Sequence, residues 1–78
     1  MLFLAVVSEM KTDERMIVFG RRVREARKSK GISQERLAEM AGIDRSYMGN
    51  IERGEKNITL KKAYEVCDAL EVDIKDLI

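Results

Sequence analysis

Apolar residues from Met16 onward recur at intervals of three and four, and short polar residues and glycines interrupt them at regular distances. Met16, Phe19, Val23 and Ala26 are spaced to share one face of an α-helix. They predict a first helix over about 13–30, which Gly31 ends as the residue after its cap, with Arg21, Arg22, Arg24, Lys28 and Lys30 on the other faces. Ser33 is a suitable N-cap for a second helix carrying Leu37, Ala38 and Ala41, and Gly42 closes that helix where a left-handed backbone costs little. Asp44 caps a third, with Met48 and Ile51 facing inward and Gly54 following its end. Thr59 opens a fourth whose stripe is Leu60, Ala63, Tyr64, Cys67 and Leu70, and Asp73 opens a fifth of a turn or two containing Ile74, Leu77 and Ile78. The expected fold is all-α, a compact five-helix domain over 13–78 joined by short connections. Residues 1–12 stand before it as an apolar extension.

Composition narrows the class. The chain has 78 residues, 45% of them hydrophobic and 37% charged, with no proline, which describes one soluble, helix-rich domain. The net charge of +1 conceals a division along the chain. Residues 21–62 hold 12 basic and 6 acidic side chains, whereas 63–78 hold 1 and 5. A single cysteine, Cys67, excludes an internal disulfide, and the absence of histidine removes the usual general base and the commonest metal ligand. Residues 2–7 are apolar but too short to span a bilayer, and they lack the basic flank and cleavage site of a signal peptide. They read as an extra packed segment or as an unattached one, and Met10 and Met16 leave a later translation start open. A reducing cytoplasm is the expected location.

The chemistry concentrates in residues 34–51, which fit two helices joined by a sharp turn. Ala38 must be small where the next helix crosses it, Gly42 supplies the turn, and Leu37, Ala41, Ile43, Met48 and Ile51 lock the pair at a fixed angle. That arrangement leaves the outer face of the third helix free to enter a DNA major groove. With Met48 and Ile51 defining the inner side, Arg45, Ser46, Gly49, Asn50 and Arg53 fall on or near the outer one.

Arg27, Gly31, Ser33-Gln34-Glu35, Leu37-Ala38 and Ile51-Glu52-Arg53-Gly54 stand at mutual offsets by which residues 18–78 resemble the phage repressor and Cro type of helix-turn-helix regulators, the XRE family. The stretch GIDRSYMGNIERGEKNITL, residues 42–60, is especially similar to the controller proteins of bacterial restriction-modification systems. The resemblance implies a repressor-like DNA-binding domain with its helix-turn-helix on helices 2 and 3. It also implies a dimer on palindromic operators, controlling its own gene and a linked endonuclease gene. Base contacts would come from Arg45, Ser46, Gly49 and Asn50. Arg45 suits guanine O6 and N7, and Asn50 suits adenine N6 and N7, although Arg45 could instead pair with Asp44 and Asn50 could be a neutral surface residue. Gly49 reads as close helix approach or room for a thymine methyl. Backbone contacts would come from Gln34, Tyr47, Arg53, Lys56 and Asn57, and Arg27 would pair with Glu52 beneath the recognition helix as a structural ion pair.

One helix in one groove reads too few base pairs for useful selectivity, so a second copy is expected. Tyr64, Leu70, Val72, Ile74, Leu77 and Ile78, in the acidic C-terminal stretch, are the expected dimer interface. The alternative is that they close the monomer's own core. Double-stranded DNA and a second copy are thus the expected partners, with RNA polymerase a further one if the regulator activates, and no membrane or cofactor. A second functional reading is an antitoxin-type or stand-alone XRE repressor that also binds a protein. An enzyme is the weakest reading, because no phosphate loop, metal-ligand cluster or nucleophile with a base is present, and Cys67 lies on an apolar stripe.

Overall fold

The computed structural model describes residues 12–78. The expected apolar extension, apart from Thr12, lies outside the described residues. The elements are α1 (Thr12–Ser29), α2 (Gln34–Ala41), α3 (Arg45–Arg53), α4 (Leu60–Leu70) and a 3-10 turn at Ile74–Asp76, with no strand among the described residues.

Local chemistry sets the boundaries. Ser33, Asp44 and Thr59 hold extended backbones, and their side-chain oxygens accept from Arg36 N at 3.0 Å, Ser46 N at 3.0 Å and Lys62 N at 3.2 Å. Each bond satisfies one of the orphan amides of a first helical turn. Between α2 and α3 the chain reverses at Gly42, whose φ of 67° lies in the left-handed region. Its N–H and that of Ile43 return to the last carbonyls of α2, Gly42 N to Glu39 O at 3.2 Å and Ile43 N to Ala38 O at 2.9 Å. Glu71 ends α4 in the same conformation, φ 58°, without the freedom of a glycine.

Two expectations require correction. There are four α-helices, not five, because the segment after Asp73 winds as a 3-10 turn. Its bonds close over three residues, Asp76 N to Asp73 O and Leu77 N to Ile74 O, both 2.9 Å. In a 3-10 turn residues three apart eclipse, which stacks half-buried Ile74 with Leu77 and brings Leu77 into the core at 2% exposure. The α4 stripe is also rotated from its expected phase. Ala63, Val66, Cys67 and Leu70 are buried, while Leu60 and Tyr64 are 65% and 48% exposed.

The core joins Phe19 and Val23 of α1, Leu37, Ala38 and Ala41 of α2, Ile43, Met48 and Ile51 at α3, and the inner face of α4. α1 packs chiefly on α3, and α2 packs on both α3 and α4. At the α1 to α3 crossing, Gly20 is buried, and a methyl group on it would overlap the Ile51 carbonyl oxygen and stand 2.8 Å from that of Glu52. Glycine is therefore what lets the two backbones approach.

Candidate nucleic-acid interface

α3 is anchored from beneath by a buried charge pair. Arg27 on α1 donates from Nε to Glu52 Oε2 at 2.8 Å and from Nη2 to Glu52 Oε1 at 3.0 Å, with the two residues only 9% and 8% exposed. Its third donor, Nη1, reaches the Ile32 carbonyl at 2.9 Å. Gln34, the first residue of α2, donates from Nε2 to Glu52 Oε1 at 3.2 Å. One guanidinium and one carboxylate thus tie together α1, the α1–α2 loop, α2 and α3. The bidentate geometry fixes orientation as well as distance.

The side of α3 away from the core carries the polar residues. Arg45 and Ser46 are exposed on its first turn, and Asn50, one turn further, is half-buried. Gly49 is buried between them, not beneath another helix but beneath two side chains. A methyl group on Gly49 would lie 3.1 Å from Arg53 Nη1 and 3.5 Å from Gln34 Oε1. Arg53 crosses this notch, donates from Nη2 to Asn50 Oδ1 at 2.6 Å, and pairs through Nε with Glu55 Oε1 at 3.2 Å. Tyr47 is half-buried with its ring packed against the core, and Lys56 and Asn57 are exposed on the loop after α3.

Of the residues expected at a DNA surface, Gln34, Gly49, Asn50 and Arg53 are brought together. The expected dimer residues do not behave as one set. Leu70 and Leu77 are covered within the chain at 0% and 2% exposure, Val72 and Ile74 are half-buried, and Tyr64 and Ile78 are 48% and 70% exposed. Leu60 joins the exposed group, one turn before Tyr64 on α4.

Two residues escaped the sequence reasoning. Arg24 lines a shallow polar cleft of about 250 Å³ with Arg27, Gln34, Glu52 and Arg53. The available signal was its position three residues before Arg27, which puts both on one face of α1. Gly20 is the other, and nothing local marks it, since its role appears only where two helices cross.

Cys67 takes no part in this surface. Burial, and then the nearby Asp68 and Asp73 carboxylates, push its thiol above the ordinary value of 9.0, as befits a core side chain. Among the described residues no group of acidic, cysteine or histidine side chains is arranged to hold a metal, and no helix is long and apolar enough to cross a membrane.

A family model described as helix-turn-helix matches residues 23–77. The chain belongs to this XRE-type helix-turn-helix family. Among its relatives is the control protein C.BamHI of Bacillus amyloliquefaciens, 40% identical over 68 residues, which cover 86% of this chain and 84% of that protein. The crystal structure of the restriction-modification controller protein C.AhdI from Aeromonas hydrophila matches with a TM-score of 0.78 at 43% identity, covering 81% of this chain and 96% of that one. SinR, master regulator of biofilm formation, crystallised in complex with DNA, matches at a TM-score of 0.72 and 37% identity, over 76% of this chain and 95% of that one. The names are those of control proteins and regulators, not of enzymes, and this helix-turn-helix chain is a transcriptional regulator of that kind.

Proposed function

We propose that the protein is a cytoplasmic restriction-modification controller, binding palindromic operator DNA as a homodimer and regulating its own gene and a linked endonuclease gene. The observation that carries this reading is the α3 surface, where exposed Arg45 and Ser46 lead a row continued by Gly49 and Asn50, held rigidly by the buried Arg27–Glu52 pair. Arg45 meets a guanine edge with two parallel donors, and Ser46 and Asn50 meet neighbouring bases. Gln34, Tyr47, Arg53, Lys56 and Asn57 surround this row and hold phosphates, with Arg24 added to them, which fixes register without reading sequence.

Leu60, Tyr64 and Ile78, with half-buried Val72 and Ile74 between helix and turn, form the surface between copies. Apart from Leu60, this apolar surface lies in the acidic segment 63–78, whose charge DNA repels. A symmetric pair sets two recognition helices about 34 Å apart, one turn of DNA, and demands inverted half-sites. Occupying a promoter that polymerase must enter represses it with no further machinery.

Selection of bound sequences from random DNA tests the reading. The expected result is an inverted repeat with half-site centres about one helical turn apart. A single unrepeated motif, together with monomer-only sedimentation in the presence of DNA, would overturn the dimeric model, and absence of any enriched motif would overturn the regulator itself.

A further inference from the structure

The side chain of Asn50 is already committed before any base arrives. Its Oδ1 accepts from Arg53 Nη2 at 2.6 Å. A guanidinium carries donors and no acceptor, so the amide must turn its oxygen toward Arg53 and its NH2 group away. Arg53 is itself restrained, by the Glu55 carboxylate 3.2 Å from its Nε and by the notch at Gly49 in which its guanidinium lies. Gln34 borders the same notch and is in turn bound to Glu52, so the restraint continues into the buried ion pair.

We propose that Arg53 is a positioning residue that sets the base preference of the regulator through Asn50. An asparagine pairs with adenine by aiming its oxygen at N6 and its NH2 at N7 of the same base. With the oxygen aimed at Arg53, the two atoms no longer point together at one adenine, and Asn50 offers the groove donors only. It therefore favours guanine, whose O6 and N7 both accept, over adenine, which offers N7 alone beside the N6 donor that the turned-away oxygen no longer meets. Gly49 leaves room for this arrangement, since even a methyl group there would stand 3.1 Å from Arg53 Nη1 and press on the guanidinium. The inference rests on the reading of α3 as the base-reading helix.

The test compares selected-sequence profiles of the wild-type protein, Asn50→Ala and Arg53→Met. The position that Asn50 reads is the one whose preference Asn50→Ala flattens. At that position the wild-type protein is expected to favour guanine over adenine by on the order of tenfold. Arg53→Met, at an exposed site where the fold does not depend on it, weakens binding to all sequences and moves this one position toward adenine, leaving the others unchanged. A purely structural or phosphate-binding Arg53 would weaken binding without moving any position. Adenine preference in the wild-type protein, or an unmoved position in Arg53→Met, overturns the positioning role alone. If Asn50→Ala flattens nothing, Asn50 reads no base and the proposal falls with that part of the interface.

Discussion

Two glycines lie inside helices, Gly20 in α1 and Gly49 in α3, and replacing each by alanine should move stability in opposite directions. Helix propensity treats them alike, since alanine is favoured over glycine by about 1 kcal/mol at an interior position. Their surroundings differ. At Gly20 the new methyl overlaps the Ile51 carbonyl oxygen and comes within 2.8 Å and 2.9 Å of Glu52 O and C, all backbone atoms of α3. None can swing aside, so α1 and α3 must separate as rigid bodies, and forced overpacking of a core costs roughly 1–3 kcal/mol and at times more. A backbone-on-backbone overlap belongs at the upper end, so after the propensity gain the net loss is about 1–3 kcal/mol. At Gly49 the nearest atom is Arg53 Nη1 at 3.1 Å, the far end of a flexible side chain, which yields by a few tenths of an ångström. Most of the roughly 1 kcal/mol propensity gain should survive there. Urea denaturation followed by circular dichroism measures both. The expected outcome is a lower midpoint for Gly20→Ala and an equal or higher one for Gly49→Ala, with unchanged slopes. A stabilised Gly20→Ala would refute the close-crossing argument, and equal shifts in the two variants would reduce both glycines to propensity alone.

Other consequences follow from the ion pair, the caps and the core thiol. Arg27→Met should destabilise by about 3–5 kcal/mol by stranding the buried Glu52 carboxylate, and adding Glu52→Leu should recover most of that loss. A denaturation double-mutant cycle checks this, and a double variant no better than the single one would contradict it. Glu71→Gly should raise stability by about 0.5–1 kcal/mol, because the left-handed conformation costs a side chain roughly 1–2 kcal/mol, partly offset by the entropy of an unfolded glycine. Because the folded-state pKa of Cys67 is raised, its contribution to stability is complete below the ordinary 9.0 and is lost as pH rises through the folded value. Stability should therefore fall above pH 9 less steeply in Cys67→Ala, and native Cys67 should resist alkylation until the chain unfolds. Arg45→Ala should cost binding roughly 1–3 kcal/mol and relax one base of each half-site, whereas Lys56→Ala should weaken all sequences evenly and flatten the salt dependence. Equal effects of both on every operator would remove the assigned distinction between base and phosphate contacts.

Features written in adjacent residues were legible in the sequence. Ser33, Asp44 and Thr59 cap helices because a short oxygen-bearing side chain reaches an amide two or three residues ahead, and Gly42 turns the chain because it has no Cβ to clash. Features decided by partners were not. α4 is apolar at Leu60, Ala63, Tyr64, Val66, Cys67, Ala69 and Leu70, more than one face of a helix, so α1 and α2 choose its buried side and leave Leu60 and Tyr64 outside. The same limit hid Gly20, Arg24 and the stacking that reduces the last helix to a 3-10 turn. Of the candidate site, the outer row of α3 followed from helix geometry. The contact between Arg53 and Asn50 did not, because three-residue spacing permits it without requiring it.

Stability alone gives little reason for a small domain to bury a guanidinium and a carboxylate, since apolar side chains of similar volume would serve as well or better. Position does give a reason. A base-reading helix is useful only if its side chains arrive at a fixed depth and angle, and an apolar contact tolerates sliding that a bidentate pair does not. Arg27 contributes donors to both Glu52 oxygens and to Ile32, while Gln34 donates a second bond to one of those oxygens, so α3 is fixed against rotation relative to α1 and α2. Gln34 then borders the Gly49 notch that holds Arg53, which holds Asn50. The network thus runs from the core to the outer face of α3, and its expected role is to set the geometry of the proposed recognition.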